Sequence, residues 1–165
     1  MSFVLREYDS RDFNRLHQLD QACFPPGISY SRRELAYYMS LRSAFTLVAE
    51  TKDNTPEIAG FIVGKKHPRG MGHIITIDTA VKFRRAGLGS LLMSAAEERL
   101  KSLGCHAVVL ETAVDNAAAI AFYKRLGYFV LKTIPRYYHD KTDAFMMGKR
   151  MGEAAPEAIT KAKAK

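Results

Sequence analysis

The stretch Arg84-Arg85-Ala86-Gly87-Leu88-Gly89-Ser90 constrains the fold more than any other part of the chain. Ahead of it, His73 to Val81 reads as a strand. Behind it, Leu88, Leu91, Leu92, Ala95 and Leu100 form one stripe of a helix, and Gly104 stands just past its end. A strand that enters a helix through glycines calls for an α/β arrangement, and it leaves the first helical amides pointing outward. Those amides carry partial positive charge and suit phosphate oxygens, while Gly87 and Gly89 let a phosphate approach the backbone. The stretch is not a Walker loop, because no Lys-Ser/Thr pair follows. Nor is it a dinucleotide fingerprint, which needs three spaced glycines. Taken alone, it also fits a tight turn with surface arginines.

The other elements follow from periodicity and punctuation. Phe3 to Arg6 is a short strand, and Asp9 or Ser10 caps a helix carrying Phe13, Leu16, Leu19 and Cys23. Phe24-Pro25-Pro26-Gly27 ends that helix, since proline removes a donor and restricts its predecessor. Ser31 to Glu34 reads as a capping box for a second helix with Leu35, Tyr38 and Met39. Ala44 to Glu50, Ile58 to Lys65 and His73 to Val81 are strands separated by turns. Ala107 to Leu110 is a buried-type strand, and a helix runs from about Asn116 to Gly127. Tyr128 to Ile134 and Ala144 to Lys149 supply the last strands, around His139-Asp140-Lys141. The order is β-α-α-β-β-β-α-β-α-β-β, an α/β domain with a mixed sheet. One domain is expected over residues 1–151, with a frayed Ala/Lys-rich tail over 152–165.

Composition narrows the class. The 165 residues are 47% hydrophobic and 25% charged, a globular balance that excludes disordered and collagen-like chains. Cys23 and Cys105 are too few for a disulfide scaffold or a four-cysteine zinc site, and no His/Cys cluster has zinc spacing, so no metal is expected. Apolar runs fall far short of the roughly 20 residues of a membrane-spanning helix. Charge at Arg6 and Glu7 arrives too early for a signal peptide. The expectation is a soluble cytoplasmic protein, monomer or homodimer, with no membrane partner. A net charge of +8 points to an anionic partner (nucleic acid, a membrane surface or a phosphorylated cofactor) or to a basic but inert surface.

A second motif lies downstream. Leu110-Glu111 ends a strand, Asn116 opens a helix, and Ala119-Ile120-Ala121-Phe122-Tyr123-Lys124-Arg125-Leu126-Gly127-Tyr128 follows. With Arg84, Gly87 and Gly89, this resembles the GNAT superfamily of N-acetyltransferases, and most closely the ribosomal-protein alanine and N-terminal protein acetyltransferases. The resemblance covers residues 3–150. It implies a mixed, mostly antiparallel central sheet of about seven strands flanked by four helices. It also implies acetyl-CoA across the glycine turn, with the pyrophosphate on the amides from Arg85 through Ala86, Gly87, Leu88 and Gly89 to Ser90. The strand at Thr79, Ala80 and Val81 would pair with the pantetheine arm. Many members have proline where Val81 stands, a change that backbone contacts tolerate.

Acetyl transfer from a thioester to an amine needs a neutral amine, stabilisation of the oxyanion and a proton for the thiolate. Glu111, at the end of a buried strand, is placed to take the amine's proton; its alternative is a solvated carboxylate or a salt bridge. The resemblance makes Tyr123 the donor to the CoA sulfur; its alternative is a packing aromatic whose hydroxyl only bonds CoA. Asn116 caps its helix and also reaches the pantetheine amide. A backbone amide near Thr79 would meet the oxyanion. His73 either shares the base role or is a strand-end histidine. Cys105 and His106 are sequence neighbours in a strand, so they point to opposite faces and cannot act together.

Two segments bear on the acceptor. Arg136-Tyr137-Tyr138 and Asp143-Ala144-Phe145-Met146-Met147 resemble a pattern of N-terminal acetyltransferases whose tyrosine loop closes over a peptide's first residues. Phe24, Pro25 and Tyr30 match the opposite wall of that groove. The alternative is an aromatic hairpin covering the sheet edge. An α-amine has a pKa near 7.7–8.0 against about 10.4 for lysine, so a carboxylate base suits it better. The expected activity is acetyl transfer from acetyl-CoA to a peptide or protein N-terminus through a ternary complex. Small amines of the polyamine or aminoglycoside kind remain open as acceptors. A non-catalytic CoA-binding module and a basic nucleic-acid binder are the competing classes, though no nucleic-acid motif accompanies the charge.

Overall fold

A computed structural model describes residues 2–152. Seven strands form one sheet in the order β1-β2-β3-β4-β5-β7-β6. They are β1 (Phe3–Glu7), β2 (Ala44–Thr51), β3 (Ile58–His67), β4 (Met71–Thr79), β5 (Ala107–Ala113), β6 (Phe129–Ile134) and β7 (Ala144–Arg150). The helices are α1 (Phe13–Cys23), α2 (Arg32–Ser40), α3 (Leu88–Ser102) and α4 (Ala117–Arg125). Every neighbouring pair is antiparallel except β4 and β5, which run parallel.

The core is apolar on both faces of the sheet. Leu16, Leu19 and Leu35 from the first two helices, and Leu88, Leu92, Met93, Ala96 and Leu100 from α3, are buried with Val48, Phe61, Ile62 and Val63. Local chemistry sets the helix starts. Ser31 Oγ accepts from Glu34 N at 3.1 Å while Glu34 Oε1 accepts from Ser31 N at 3.2 Å, a closed capping box. Asp9 caps a 3₁₀ turn at Ser10–Asp12 that runs straight into α1.

The parting of β4 from β5 creates the site. Their ladder holds only from Met71–Ala107 to His73–Val109. Directly beyond it, β4 skips a residue against β3, with Val63 opposite Thr76 and Gly64 opposite Ile74, so Ile75 is bulged. A bulge bends its strand and increases the local twist, and β4 leaves β5 there.

Three expectations are corrected. The strand expected to reach Val81 ends at Thr79, and Val81–Phe83 is a 3₁₀ turn with Val81 66% exposed. Ala80 N bonds Ala59 O, after which Phe83 N and Arg84 N bond back to Ala80 O and Val81 O. The chain is therefore curled where an extended pairing edge was expected. In α3, Leu91 is 38% exposed. It lies about 60° from Leu88, on the side away from Leu92, so the buried arc passes it by and takes Met93 and Ala96 instead. Cys105 and His106 precede β5, and the His106 ring contacts Arg69 O at 3.0 Å. Of the tail expected to fray, residues 153–165 lie outside the described residues.

Candidate active site

Between the diverging strands lies a cleft of about 920 Å³. Its cofactor-side wall is the turn into α3. Arg85 (φ 63°) and Gly87 (φ 79°) take left-handed backbone there, a conformation that glycine adopts without strain. A Cβ on Gly87 would meet nothing within 4 Å, so the backbone is open to a ligand at that point. Leu91 N makes the first helical bond, to Gly87 O at 3.0 Å. The amides of Leu88, Gly89 and Ser90 therefore have no partner within the helix. Three amides at the positive end of a 15-residue helix form a seat for a pyrophosphate. Arg84 folds back, its Nε donating to Thr79 O at 3.3 Å.

Most of the expected cofactor residues meet in this cleft. Thr79, Arg84, Arg85, Gly87, Leu88, Gly89, Ser90, Asn116 and Tyr123 all line it. Ala80, Val81 and Ala86 do not: Ala80 is 7% exposed with its amide bonded to Ala59, and Val81 faces outward from its 3₁₀ turn. Asn116 Oδ1 accepts from Ala119 N at 3.2 Å. The carboxamide NH₂ is what this cap leaves for a ligand.

The acceptor-side wall is aromatic. Phe24, Pro25 and Tyr30 from the α1–α2 connection face the cleft, as do Tyr137 and Tyr138 from the β6–β7 connection. Burial pushes the Tyr30 and Tyr138 phenols well up, and burial with the nearby Glu111 charge takes Tyr137 up to about 12. All three stay protonated donors at working pH. The two walls are clasped to each other. His139 N donates to Gly27 O at 3.0 Å, and His139 Nε2 lies 3.0 Å from Glu34 Oε2.

Glu111 and Tyr123 reach the cleft from β5 and α4. Glu111 Oε2 lies 2.7 Å from Nε2 of His73, whose side chain is behind the lining. Tyr123 is 8% exposed, packed edge-on against Tyr128, and its hydroxyl bonds no protein group among the described residues. Burial, helped by the charge of Asp78, pushes this phenol well up.

Two features escaped the reading of the sequence. His67 Nε2 sits 3.4 Å from His73 Nδ1, extending the Glu111–His73 pair outward. The hairpin turn at Pro68-Arg69-Gly70 was the available signal, because it pairs His67 with Met71 and leaves His73 as a same-face diagonal neighbour. The second is a pair of buried carboxyls. Asp20 is 0% and Asp78 1% exposed. Asp20 Oδ2 accepts from Tyr30 N at 2.6 Å, and Asp78 Oδ1 accepts from Thr76 Oγ1 at 2.7 Å. The remaining oxygens, Asp20 Oδ1 and Asp78 Oδ2, find no N–H or O–H donor, and the two carboxyls contact each other. Burial raises both, and the charge of Asp20 raises Asp78 further while the contact with Asp78 works to lower Asp20, so Asp78 keeps its proton and shares it with Asp20. Asp20 stands four residues after buried Leu16, and Asp78 alternates with buried Ile74 and Thr76. The pattern thus marked both as core positions. No three His, Cys, Asp or Glu side chains gather as a metal site among the described residues, and no helix there is long and apolar enough to cross a membrane.

Comparison with known proteins agrees with this geometry. The profile of the acetyltransferase (GNAT) family matches residues 13–128. An uncharacterized N-acetyltransferase of Methanocaldococcus jannaschii is 30% identical over 95% of this chain and 98% of its own. N-alpha-acetyltransferase 30 of Schizosaccharomyces pombe is 35% identical over 70% of this chain and 78% of its own. One chain of the NatC complex, solved with a Gag peptide and CoA, superposes with a TM-score of 0.78 at 27% identity, covering 92% of this chain and 100% of that one. The chain belongs to the acetyltransferase (GNAT) family. It is an acyltransferase whose donor is acetyl-CoA, and the open amides at Leu88–Ser90 fit that donor's pyrophosphate.

Proposed function

We propose that the acceptor is the α-amine of a peptide or protein N-terminus. The observation that carries this reading is the clasped aromatic groove. Tyr30, Tyr137 and Tyr138 line a passage toward Glu111, roofed by the His139 contacts with Gly27 and Glu34. Such a passage admits an extended chain end, and its phenols bond peptide backbone. A polycationic small amine would need several exposed carboxylates. Beside Glu111 the cleft offers Asp140 on the acceptor side and Asp115 next to Asn116 on the cofactor side, while Asp20 is buried within the shared-proton pair. The likeness to an N-alpha-acetyltransferase supports the same choice.

Within that groove Glu111, held by His73, takes the proton of the incoming ammonium. An α-ammonium near pKa 7.7–8.0 gives it up at neutral pH at far less cost than a lysine near 10.4. Acetyl-CoA supplies the thioester carbonyl that the freed amine attacks. Tyr123, fully protonated in its buried setting, donates toward the sulfur. Beyond His73, the β4 backbone has no ladder partner on the β5 side, so its amides are available to the carbonyl oxygen. The backbone at Thr79 and the Asn116 carboxamide hold the pantetheine arm, and Arg84, Arg85 and Gly87 to Ser90 hold the pyrophosphate. With Cys23 and Cys105 both free thiols, the setting is the reducing cytoplasm, where the enzyme works as a monomer or homodimer.

The deciding experiment measures CoA thiol release with a panel of short peptides of varied first residue, beside N-terminally blocked lysine peptides, spermidine and an aminoglycoside. Turnover confined to free N-termini is expected. Turnover with only lysine or the small amines overturns the acceptor assignment.

A further inference from the structure

The reaction has a proton to dispose of. An ammonium and a thioester become an amide and a thiol, so the nitrogen loses two protons, the sulfur keeps one, and one must leave the protein. Glu111 sits at 13% side-chain exposure, facing an aromatic groove that the acceptor itself fills. The opposite side of its carboxylate is different. Oε2 meets His73 Nε2 at 2.7 Å, and His73 Nδ1 meets His67 Nε2 at 3.4 Å. Side-chain exposure rises to 22% at His73, and His67 lies in the partly exposed last position of β3. The rings are 5.4 Å apart, centroid to centroid, and tilted by 41°. Three titratable groups thus form a line from the buried base to the surface, on β5, β4 and β3.

We infer that His67 is a proton-relay residue, carrying the proton taken by Glu111 from His73 to solvent. The inference rests on the reading of Glu111 as the base. The amine nitrogen gives its proton to the Glu111 carboxylate, which passes it to Nε2 of His73. The Nδ1 proton of the resulting imidazolium goes to Nε2 of His67, and the Nδ1 proton of that ring goes to water. Each step breaks one bond to hydrogen and makes one. The chain then stands with His73 donating to an ionised Glu111 and His67 donating to His73, and ring tautomerisation through solvent resets it. The groups facing His67 are Lys65 on its own strand, His73 on β4 and Glu111 on β5. Burial and the Lys65 charge lower the His67 pKa, which favours release of the proton over its retention.

The test compares His67→Ala, His67→Gln and Glu111→Gln. Glutamine at 67 keeps a hydrogen-bonding partner for His73 but cannot relay a proton. In weak buffer both His67 variants are expected to lose roughly tenfold in kcat with the KM values for peptide and acetyl-CoA unchanged. Added imidazole restores His67→Ala in proportion to its concentration. A readout independent of turnover is the ¹⁵N spectrum of the free protein: the relay needs Nε2 of His67 vacant to accept, so His67 is expected as the Nδ1–H tautomer. Full activity of His67→Ala without imidazole dependence overturns the relay, as does a His67→Gln as active as the wild type beside an impaired His67→Ala. If Glu111→Gln keeps its activity, the base assignment itself is lost. If it is inactive while both His67 variants are normal, only the relay is lost.

Discussion

Glu111 and His73 meet at 2.7 Å just where the β4–β5 ladder gives out, so the last paired residue of β4 steadies the first side chain of the open cleft. Glutamine at 111 retains a carboxamide that can hydrogen-bond His73 in either tautomer and loses only the ability to take a proton. Glu111→Gln is therefore expected to lower kcat/KM about 10²–10⁴-fold, with the affinity for acetyl-CoA unchanged by calorimetry. A loss smaller than tenfold would show that the amine arrives already neutral and needs no base.

Tyr123 offers a cleaner separation of chemistry from folding. Its hydroxyl bonds no protein group among the described residues, so Tyr123→Phe removes no internal hydrogen bond and leaves the ring contacts with Phe122 and Tyr128 in place. The melting temperature should hold within a degree or two. kcat should fall at least about tenfold while CoA binding changes little. An unchanged kcat would reduce Tyr123 to a packing aromatic.

These two residues were legible in the sequence because their signals are local. Glu111 closes an apolar run, and Tyr123 shares a helix face with Ala119 and Ile120. The Ser31–Glu34 box and the Gly87–Gly89 turn were readable for the same reason, since each is decided within a few residues. The 3₁₀ curl at Val81 was not, because it depends on Ala80 bonding Ala59 across the sheet. Nor were the contacts of His67 with His73, or of Asp20 with Asp78. Periodicity assigns a side chain to a face, but which two faces meet is fixed by the register of β3 on β4 and by the packing of α1 on the sheet.

The Asp20–Asp78 pair makes stability depend on pH in an unusual direction. Burial raises the folded-state carboxyl of Asp78 well above the value of about 3.9 that an unfolded aspartate has. Between those values the native state holds the extra proton. Stability from this pair therefore falls as pH rises from about 4 toward the folded value, and levels off above it. Asp78→Asn keeps an acceptor for Thr76, gives Asp20 a permanent donor and removes the proton requirement. The variant should melt at least as high as the wild type at pH 8, with that advantage shrinking by pH 4.5. Each kcal/mol corresponds to roughly 2–4 °C in a domain of this size. A drop in melting temperature equal at both pH values would exclude a shared proton.

The clasp between His139 and Glu34 should set how well a peptide is held, and its pH dependence has a definite sign. The hydrogen bond and charge of Glu34 raise the His139 pKa, and the partnership with His139 lowers that of Glu34. The contact is fully formed below the ordinary histidine value of about 6.5 and weakens as pH rises through the raised folded value. Freeing of the peptide's α-amine runs the opposite way, so wild-type kcat and peptide KM should both rise across this range. In His139→Ala the bond from the backbone amide of residue 139 to Gly27 O survives, so the loop stays closed but loses its charged latch. Peptide KM is expected to rise about threefold at pH 6.5, with almost no increase at pH 9, because an exposed ion pair contributes little and only while charged. Glu34→Gln should flatten the KM profile in the same manner, and the double variant should add nothing further. The acetyl-CoA KM, set on the far wall by Gly87 to Ser90, should not move in any of them. A KM effect of equal size at both pH values would mean that the histidine ring packs on the peptide and that its charge is not what closes the groove.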